Sequence, residues 1–464
     1  MIIIDQKLAP KDLLPSIQRL VDLSGEKIRL IQRNWNPSQG TPVFTANGIY
    51  TSRGWTEWTQ GFQFGSAIVQ FDLTGDISFL VIGRAGTVES MAAHVSHIGV
   101  HDHGFNNVST YGNLLRLLNE GKIAEDRWER RFYELALKVS GAVQAARWTS
   151  LGPGAGYIHS FNGPHSLFAD TIRSLRVLAL AYQLGHTLMG EKDVSISLLR
   201  RVVEHAEATS RYNVYFGQGR DAYDVRGRVA HESIFNVKDG SYRCPGTQQG
   251  YSPFSTWTRG LAWVLCGFAE ELEFLAGCPE SDLTESGGKA SVLALFAETA
   301  KAAADFYIQN TPTDGIPYWD TGAPGLTRLD DYLQRPADPY NDLEPVDSSA
   351  AAIASQGFLR LGRYLGSQGD DEGANRYFQA GLTIARTLFS APYLSSLPGH
   401  QGLLLHSVYH RPNGWDYVPP GKNSPSGESS MWGDYHAREL ALLIRRIALE
   451  EPYYVFFLPW EKIS

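Results

Sequence analysis

Residues 255–277, STWTRGLAWVLCGFAEELEFLAG, are apolar on nearly every side over their first half. A helix with this pattern is buried on most of its surface. Residues 347–366, DSSAAAIASQGFLRLGRYLG, begin with N-capping residues, end at a glycine and are rich in small residues that suit close helix packing. Further helical patterns occur near residues 11–33, 110–121, 126–146, 170–190, 194–209, 290–309, 370–389 and 434–450. The sequence therefore predicts an all-α fold with helices in its interior.

Strand-like patterns are few. The segment ISFLVIG near residue 80 fits either a strand or a buried helix. Residues 212–243 are polar and glycine-rich with interspersed Val and Ile, which predicts a long loop with a short hairpin.

Six segments place aromatic or charged residues beside glycine or serine, each next to a helical pattern. Their marker residues are Trp58, Asp102, Asp170, Trp257, Asp347 and Trp432, separated by 44, 68, 87, 90 and 85 residues. Each interval has room for one outer and one inner helix, so the spacing predicts a closed ring of twelve helices with polar groups at one mouth. Because no Pro/Ser-rich linker divides the chain, we expect a single domain over residues 1–464.

The charge, hydropathy and cysteine content of the chain exclude several classes of binding partner. The chain has 464 residues, a net charge of −8 and no long block of like charges, which argues against a basic nucleic-acid-binding face. The amino-terminal residues do not resemble a secretory signal, and no stretch is apolar enough to span a membrane. Three cysteines without a CxxC spacing indicate neither a disulfide framework nor a zinc site. We expect a reduced, cytoplasmic monomer or homodimer that binds neither nucleic acid nor membranes.

Two aspartates are the first candidates for chemistry. Asp102, in HDHGF, also fits a plain turn residue, and Asp170, in FADTIRS, also fits a helix N-cap. If their carboxylates met across a cleft, repulsion and partial burial would raise the pKa of one and keep it protonated as a general acid. His101 and His103 flank Asp102 and invite a metal interpretation, but adjacent positions point in different directions and no HExxH motif is present. We therefore expect no metal here.

A second group of candidates could bind a ligand. Arg259 and Trp263 are four residues apart and share a helix face, and a buried arginine needs an anionic partner. That partner is either a structural aspartate or a substrate carboxylate held by two hydrogen bonds. His231 lies in a polar loop, where hydrogen bonding is its default role. Aromatic residues that fit either the core or a sugar-stacking platform are Trp55, Trp58, Phe62 and Trp257.

Taken together, these motifs resemble the unsaturated glucuronyl hydrolases, glycoside hydrolase family 88. The similarity runs over about residues 55–446 and rests on the order and spacing of its elements. The elements are WTQGFQFG with LTGD, HDHGF, the Asp170 segment, HESIFNVKDG, QGYSPFSTWTRGLAW, DGIPYWD, DSSAAAIAS and SVYH with SSMWGDY. His231 to Gln249 is 18 residues, Gln249 to Arg259 is 10 and Arg259 to Trp263 is 4, which is similar to the family pattern.

The resemblance implies an (α/α)6 barrel of six inner and six outer helices, without a metal or organic cofactor. It implies a substrate with a non-reducing terminal 4,5-unsaturated uronate, as a polysaccharide lyase leaves it. By the same analogy, Asp170 is the general acid/base and Asp102 its partner carboxylate. The implied sugar-binding residues are His231, Gln249, Arg259 and Trp263, and those of the first subsite are Trp58, Phe62 and Trp257. The implied reaction is hydration of a vinyl ether, initiated when Asp170 protonates C4.

Three departures from the family pattern bear on the second sugar. His103 stands where the family usually has an aliphatic residue, Phe161 stands near the place of a stacking tryptophan, and QGYSPFSTW lacks the usual acidic residues. Three alternatives remain open at this point. They are an unsaturated rhamnogalacturonyl hydrolase, a sugar 2-epimerase that uses a histidine pair, and a carbohydrate-binding protein without activity.

Overall fold

The computed structural model describes residues 1–54 and 58–459, and its main elements are helices. In chain order the α-helices are α1 (Leu14–Asn34), α2 (Gln60–Thr74), α3 (Ile77–Ser90), α4 (Ala92–Ser96), α5 (His103–Asn107), α6 (Asn113–Asn119), α7 (Arg127–Ala146), α8 (Leu175–Gln183), α9 (Leu198–Asn213), α10 (Thr258–Ala276), α11 (Lys289–Gln309), α12 (Ser348–Ser367), α13 (Asp371–Leu388) and α14 (Met431–Ala448). A π-helical turn, Val108–Gly112, joins α5 to α6, and a 3-10 segment, Ala169–Ser174, leads into α8.

The helices form two concentric rings. In the inner ring, α2 contacts α5, α5 contacts α8, the segment before α8 contacts α10, α10 contacts α12, α12 contacts α14, and α14 returns to α2. Outer helices α3, α7, α9, α11 and α13 each pack against an inner neighbour in the chain, and α1 packs against α14 and α2. With α5 and α6 counted as one position, the described residues form six inner and six outer helices, so the predicted (α/α)6 barrel is confirmed.

The sequence explains which helices lie inside. Helix α10 is buried along almost its whole length, because apolar residues surround its first two turns. Helix α12 packs closely against α10 and α13, since Ala, Gly and Ser on its surface let neighbouring backbones approach. Its first turn is capped by Asp347, whose side chain accepts hydrogen bonds from the amides of Ser349 and Ala350.

All six marker residues lie at the start of an inner helix. Asp102, Trp257 and Asp347 are N-caps, Asp170 lies in the 3-10 segment before α8, Trp58 precedes α2, and Trp432 lies in the first turn of α14. Because the inner helices run in the same direction around the ring, their amino-terminal ends meet at one mouth of the barrel. The spacing of the marker residues thus predicted both the ring of helices and the mouth at which their amino-terminal ends meet.

Short strands lie in the loops between the helices. They are β1 (Pro42–Ala46), β2 (Ile49–Ser52), β3 (Trp148–Gly152), β4 (Ala155–Ile158), β5 (Ser166–Phe168), β6 (Leu188–Met189), β7 (Ser195–Ile196), β8 (Glu232–Phe235) and β9 (Tyr242–Gly246). The expected hairpin in the polar segment is the antiparallel pair β8–β9, to which β5 adds a third strand. The ambiguous segment ISFLVIG forms the first half of α3. No helix among the described residues is both long and apolar enough to cross a membrane.

Candidate active site

A cavity of about 1010 Å³ opens at the mouth where the inner helices begin. Seven of the predicted site residues line it: Trp58, Asp102, Asp170, Gln249, Trp257, Arg259 and Trp263. His231 lies directly behind this lining. Phe62 lies deeper, and Trp55 falls outside the described residues.

The two candidate acids meet through a histidine. The Nε2 atom of His101 lies 3.2 Å from Oδ2 of Asp170, and its Nδ1 atom lies 3.7 Å from Oδ2 of Asp102. One oxygen of each carboxylate and one nitrogen of the ring all lie within 4.8 Å of one another. Asp170 and His101 are buried, whereas Asp102 is partly exposed to the cavity. The structure therefore brings together two acids that are 68 residues apart in the sequence.

The charges of this group differ from the sequence-based expectation. Burial favours the neutral form of Asp170, but the hydrogen bond and positive charge of His101 outweigh it, so the pKa of Asp170 lies below its ordinary value. Burial and the neighbouring Asp170 charge raise the pKa of Asp102 against the opposing effect of His101. Burial lowers the pKa of His101, yet the two carboxylates overcome it and the net pKa is raised. Both shifts favour a proton on His101 over a proton on Asp170.

His231 orients towards the other oxygen of Asp170. Its Nδ1 atom accepts hydrogen bonds from the backbone amides of Gln248 and Gln249, at 3.0 and 3.4 Å. The ring proton is consequently on Nε2, which faces Oδ1 of Asp170 at 3.8 Å. Burial lowers the pKa of His231 to about 4, so the ring is neutral near neutral pH. The ring of Phe168 contacts it at a tilt, and the ring of Trp257 contacts it edge-on.

Arg259 already has an anionic partner in the structure. Its Nη1 atom donates to Oδ2 of Asp347 at 2.8 Å and to the carbonyl of Val408. Its Nη2 atom donates to Oε1 of Gln249 at 2.9 Å and to the carbonyl of Tyr409 at 2.8 Å. All four Nη hydrogens are thus engaged. Of the two partners that the sequence left open, the structure contains the aspartate.

The aromatic residues divide between cavity and core. Trp58 and Trp263 both line the cavity, and Phe105 packs between them, edge-on to Trp58 and stacked on Trp263. The structure differs from the expectation that Phe62 lines the first subsite. Its ring is fully buried and supports the cavity wall from behind. It packs against Phe105, Tyr435 and Trp58. It lies inside because Phe62 falls on the face of α2 that packs towards the barrel axis.

Several lining residues were not singled out from the sequence as binding residues. They are Arg53, His101, Phe105, Phe161, Phe168, Gln248, Tyr409, His410, Asn413 and Trp415. His101 was detectable as the neighbour of Asp102, but only the fold turns its ring towards Asp170. His103 points the other way and contacts two further imidazoles, His94 at 3.2 Å and His97 at 2.8 Å. Of the two histidines of HDHGF, His101 therefore contacts the candidate acids and His103 contacts other histidines.

The group His101, Asp102 and Asp170 has donor atoms close enough for a cation to bridge them. The same short distances are explained by a proton shared along the hydrogen bond between His101 and Asp170. The absence of a metal from the reaction stays a prediction, which a chelator experiment can test.

Comparison with known proteins gives relatives over most of the chain, although no protein-family model matches. The sequence is 27% identical over 407 residues to an unsaturated glucuronyl hydrolase of Bacillus sp. (strain GL1), covering 84% of this chain and 87% of the relative. It is 24% identical over 410 residues to an unsaturated chondroitin disaccharide hydrolase of Streptococcus agalactiae serotype III (strain NEM316), covering 86% and 84%. The crystal structure of the unsaturated glucuronyl hydrolase from Bacillus sp. GL1 matches with a TM-score of 0.68 and 23% identity, over 93% of this chain and 97% of that chain.

Proposed function

We propose that this chain, a glycoside hydrolase related to the unsaturated glucuronyl hydrolases, removes the terminal 4,5-unsaturated uronic acid from lyase-generated oligosaccharides. The whole chain, residues 1–464, would act as one catalytic domain without a cofactor. The substrate is a free oligosaccharide whose non-reducing end enters the barrel mouth.

One observation carries the proposal: in the wall of the large cavity, His101 hydrogen-bonds to Asp170 and lies within ion-pair distance of Asp102. One ligand atom from each residue lies within 4.8 Å of the others, which is too close for the water that an inverting glycosidase holds between two acids about 6.5–9.5 Å apart. A retaining glycosidase, with acids about 5–5.5 Å apart, is distinguished by its products instead. An acid, a base and a proton store on one side of the cavity suit addition of water across a double bond.

The reaction would begin with transfer of a proton from Asp170 to C4 of the unsaturated ring. Positive charge then develops at C5 and on the ring oxygen, and water adds at C5 while ionised Asp170 accepts the released proton. The resulting hemiketal opens and releases the second sugar without attack at C1. One proton enters at C4 and one returns to Asp170, so the acid is restored at the end of each cycle.

His101 would supply the proton that Asp170 needs. The pKa shifts favour a proton on the imidazole, whose Nε2 atom is hydrogen-bonded to Oδ2 of Asp170 at 3.2 Å. An anionic substrate carboxylate beside Asp170 disfavours its ionised form and draws the proton across. Asp102 would hold the hydroxyl groups of the sugar, and its negative charge would favour the charged form of His101 until the proton moves to Asp170.

Other residues would orient the terminal ring. Gln249 gives its oxygen to Arg259 and retains its amide group to donate to the uronate carboxylate. Arg259 then positions Gln249, and the amino-terminal ends of the inner helices add a favourable potential for an anion. Trp58, Trp257 and Trp263 would stack on the faces of the sugar. His231 would support Asp170 by facing its Oδ1 atom with Nε2 at 3.8 Å, beyond hydrogen-bond distance.

Replacement of Asp170 by asparagine tests the proposal. We expect the variant to fold and kcat to fall by about a hundredfold or more, because the general acid and base are removed together. Loss of near-UV absorbance of unsaturated disaccharides reports the reaction directly. Asp314→Asn is a matched control, since this partly buried acid lies outside the cavity lining. Wild-type turnover by Asp170→Asn would reject the assignment.

A substrate panel separates this proposal from its alternatives. Unsaturated disaccharides from glycosaminoglycan and from pectin distinguish a glucuronyl from a rhamnogalacturonyl hydrolase. Binding of these ligands without any product over a long incubation would instead identify a carbohydrate-binding protein.

A further inference from the structure

Two outer helices carry apolar side chains on the side that faces away from the barrel. On α7, Trp128, Phe132 and Leu135 are exposed to solvent, and Trp128 is 81% exposed. Their spacing of four and three residues places them in one stripe along the helix. The stripe of α7 that faces the core is a different set, which includes Tyr133 and Leu137. Helix α7 is therefore apolar on two faces, and the barrel covers only one of them.

Helix α3 has the same kind of stripe beside α7. Ile77, Val81 and Val88 are between 48% and 62% exposed and lie on one face of α3, at intervals of four and seven residues. Arg84 lies next to this stripe and pairs with Glu129 of α7 at 3.4 Å, which joins the two stripes. We call the six apolar side chains and this ion pair the α3–α7 surface. Its centre carries no net charge, because the two charges of the ion pair cancel.

The α3–α7 surface is large enough for a stable interface. Its six apolar side chains are between 41% and 81% exposed, which amounts to roughly 600 Å² if a fully exposed large side chain offers about 150–250 Å². The largest apolar patch on a monomeric protein is usually about 300–600 Å². Homodimer interfaces are about 65% apolar, so this surface corresponds to about 900 Å² per copy, whereas a standard interface buries about 800 Å² per partner.

A groove on α3 is suited to the most exposed side chain of α7. The groove has a volume of about 330 Å³, and its lining includes Val81, Arg84 and Ala85. Helices α3 and α7 run in the same direction, because each returns antiparallel to an inner helix. The ion pair between Arg84 and Glu129 then places Trp128 at the height of the groove. Trp128 leaves the groove of its own chain open, since most of its surface is in contact with solvent.

A two-fold axis parallel to α3 and α7 makes this surface complementary to itself. Such an axis places α7 of each copy on α3 of the other at equal height, so each Trp128 meets the groove of the other copy. At about 100° per residue, Glu89 on α3 and Arg131 on α7 lie at the two outer edges, turned away from the central ion pair. Both are exposed, and neither forms an ion pair among the residues that the structure describes. The same axis brings Glu89 of one copy to Arg131 of the other.

We propose that the α3–α7 surface docks on the same surface of a second copy of this chain. The protein is then a two-fold symmetric homodimer in which each Trp128 occupies the groove on α3 of the other copy. The six apolar side chains lie outside the described lining of the cavity that contains Asp102 and Asp170. Each copy therefore keeps its own complete site.

Sedimentation equilibrium of the full chain tests the proposal by measuring its mass in solution. At about 10 µM we expect twice the mass of one chain, because interfaces of standard size have micromolar or tighter dissociation constants. Trp128→Glu should raise the dimer dissociation constant at least about thirtyfold, since it removes a central aromatic side chain and places a charge in the apolar contact. The variant should keep its circular dichroism spectrum, because residue 128 is exposed and lies in the first turn of α7, where an acidic side chain is favourable.

Three further sets of variants sharpen the test. Leu397→Glu is a matched control that should leave the dimer intact, since Leu397 is about as exposed as Leu135 and lies outside both helices. Ala85→Trp fills the groove from its own side and should weaken the dimer as Trp128→Glu does. Glu89→Arg and Arg131→Glu should each raise the dissociation constant several-fold, and combining them should restore it, because opposite charges face each other again.

A wild-type chain that is still a monomer at about 50 µM would overturn the proposal, since its interface would be weaker than that of a specific dimer. A dimer that persists in both Trp128→Glu and Ala85→Trp would overturn it as well. Monomeric chain that sediments with phosphatidylglycerol vesicles would assign the surface to a membrane instead. A combined charge variant no tighter than the single ones would overturn the docking of α7 on α3. These masses do not depend on turnover, so failure of the proposed function would leave the test of the dimer unaffected.

Discussion

Replacing Arg259 by methionine should lower the free energy of unfolding by about 3–5 kcal/mol, because Asp347 is left buried and charged without its partner. Both side chains are almost inaccessible to solvent, and their nearest atoms are 2.8 Å apart. The same substitution removes two donors to the carbonyls of Val408 and Tyr409. It therefore disconnects the loop after residue 407 from helix α10.

The reverse single change, Asp347→Asn, should cost a similar amount. It leaves Arg259 without a counter-ion and weakens the cap of α12, where one oxygen accepts hydrogen bonds from the amides of Ser349 and Ala350. The double variant buries no unpaired charge, so its loss should be about 2 kcal/mol smaller than the sum of the two single losses.

Urea unfolding followed by circular dichroism and tryptophan fluorescence measures these values, provided the two signals change together. Additive single losses, or wild-type stability for Arg259→Met, would refute the idea that this pair holds the wall of the site. If Arg259 instead served mainly the substrate carboxylate, KM would rise in Arg259→Met without a loss of stability.

Four further predictions follow from the same contacts. His101→Gln should move the alkaline limb of the pH profile of kcat/KM to lower pH. The reason is that the two carboxylates raise the pKa of His101, so it keeps its proton at pH values where an isolated imidazole loses it. An alkaline limb at the wild-type pH would contradict the role of His101 as a proton store. Phe62→Ala should lower the free energy of unfolding by about 3–5 kcal/mol, as seen in urea, since its ring is fully buried. Burial opposes ionisation of Glu439, but Arg173 lowers the pKa of Glu439 to about 2. The stability contribution of this carboxylate is therefore present above its ordinary pKa of 4.5 and is lost as the pH falls towards 2. The difference in free energy of unfolding between wild type and Glu439→Gln should disappear over the same pH range. A chelator should leave turnover unchanged, and restoration of lost activity by one divalent metal would show that His101, Asp102 and Asp170 bind it.

Local pattern was sufficient for the architecture. The all-round apolar segment in α10 predicted an interior helix, and the spacing of Trp58, Asp102, Asp170, Trp257, Asp347 and Trp432 predicted a ring that the structure confirms. The segment ISFLVIG could not be assigned from its pattern, because a short apolar run fits a buried strand and a buried helix equally well. Its place in α3 follows from packing against α2.

The sequence predicted only part of the candidate site. Asp102 and Asp170 were identifiable as candidate acids, although each also fitted a turn or capping residue. The ring between them was not identifiable, since a sequence does not show which way His101 turns. Phe62 illustrates the opposite error: an aromatic residue beside a predicted subsite is equally suited to the core, and its face of α2 decides between them.

The sequence by itself determined most of the long helices, the ring of twelve and the end of the barrel where polar groups collect, because periodicity and capping act over a few residues. Helix α2 was not among the predicted helical patterns. Only the tertiary structure decided that His101 joins the two acids and that Asp347 neutralises Arg259. Protonation and ion pairing depend on distances of a few ångströms between residues far apart in the chain, and closure of the ring sets those distances.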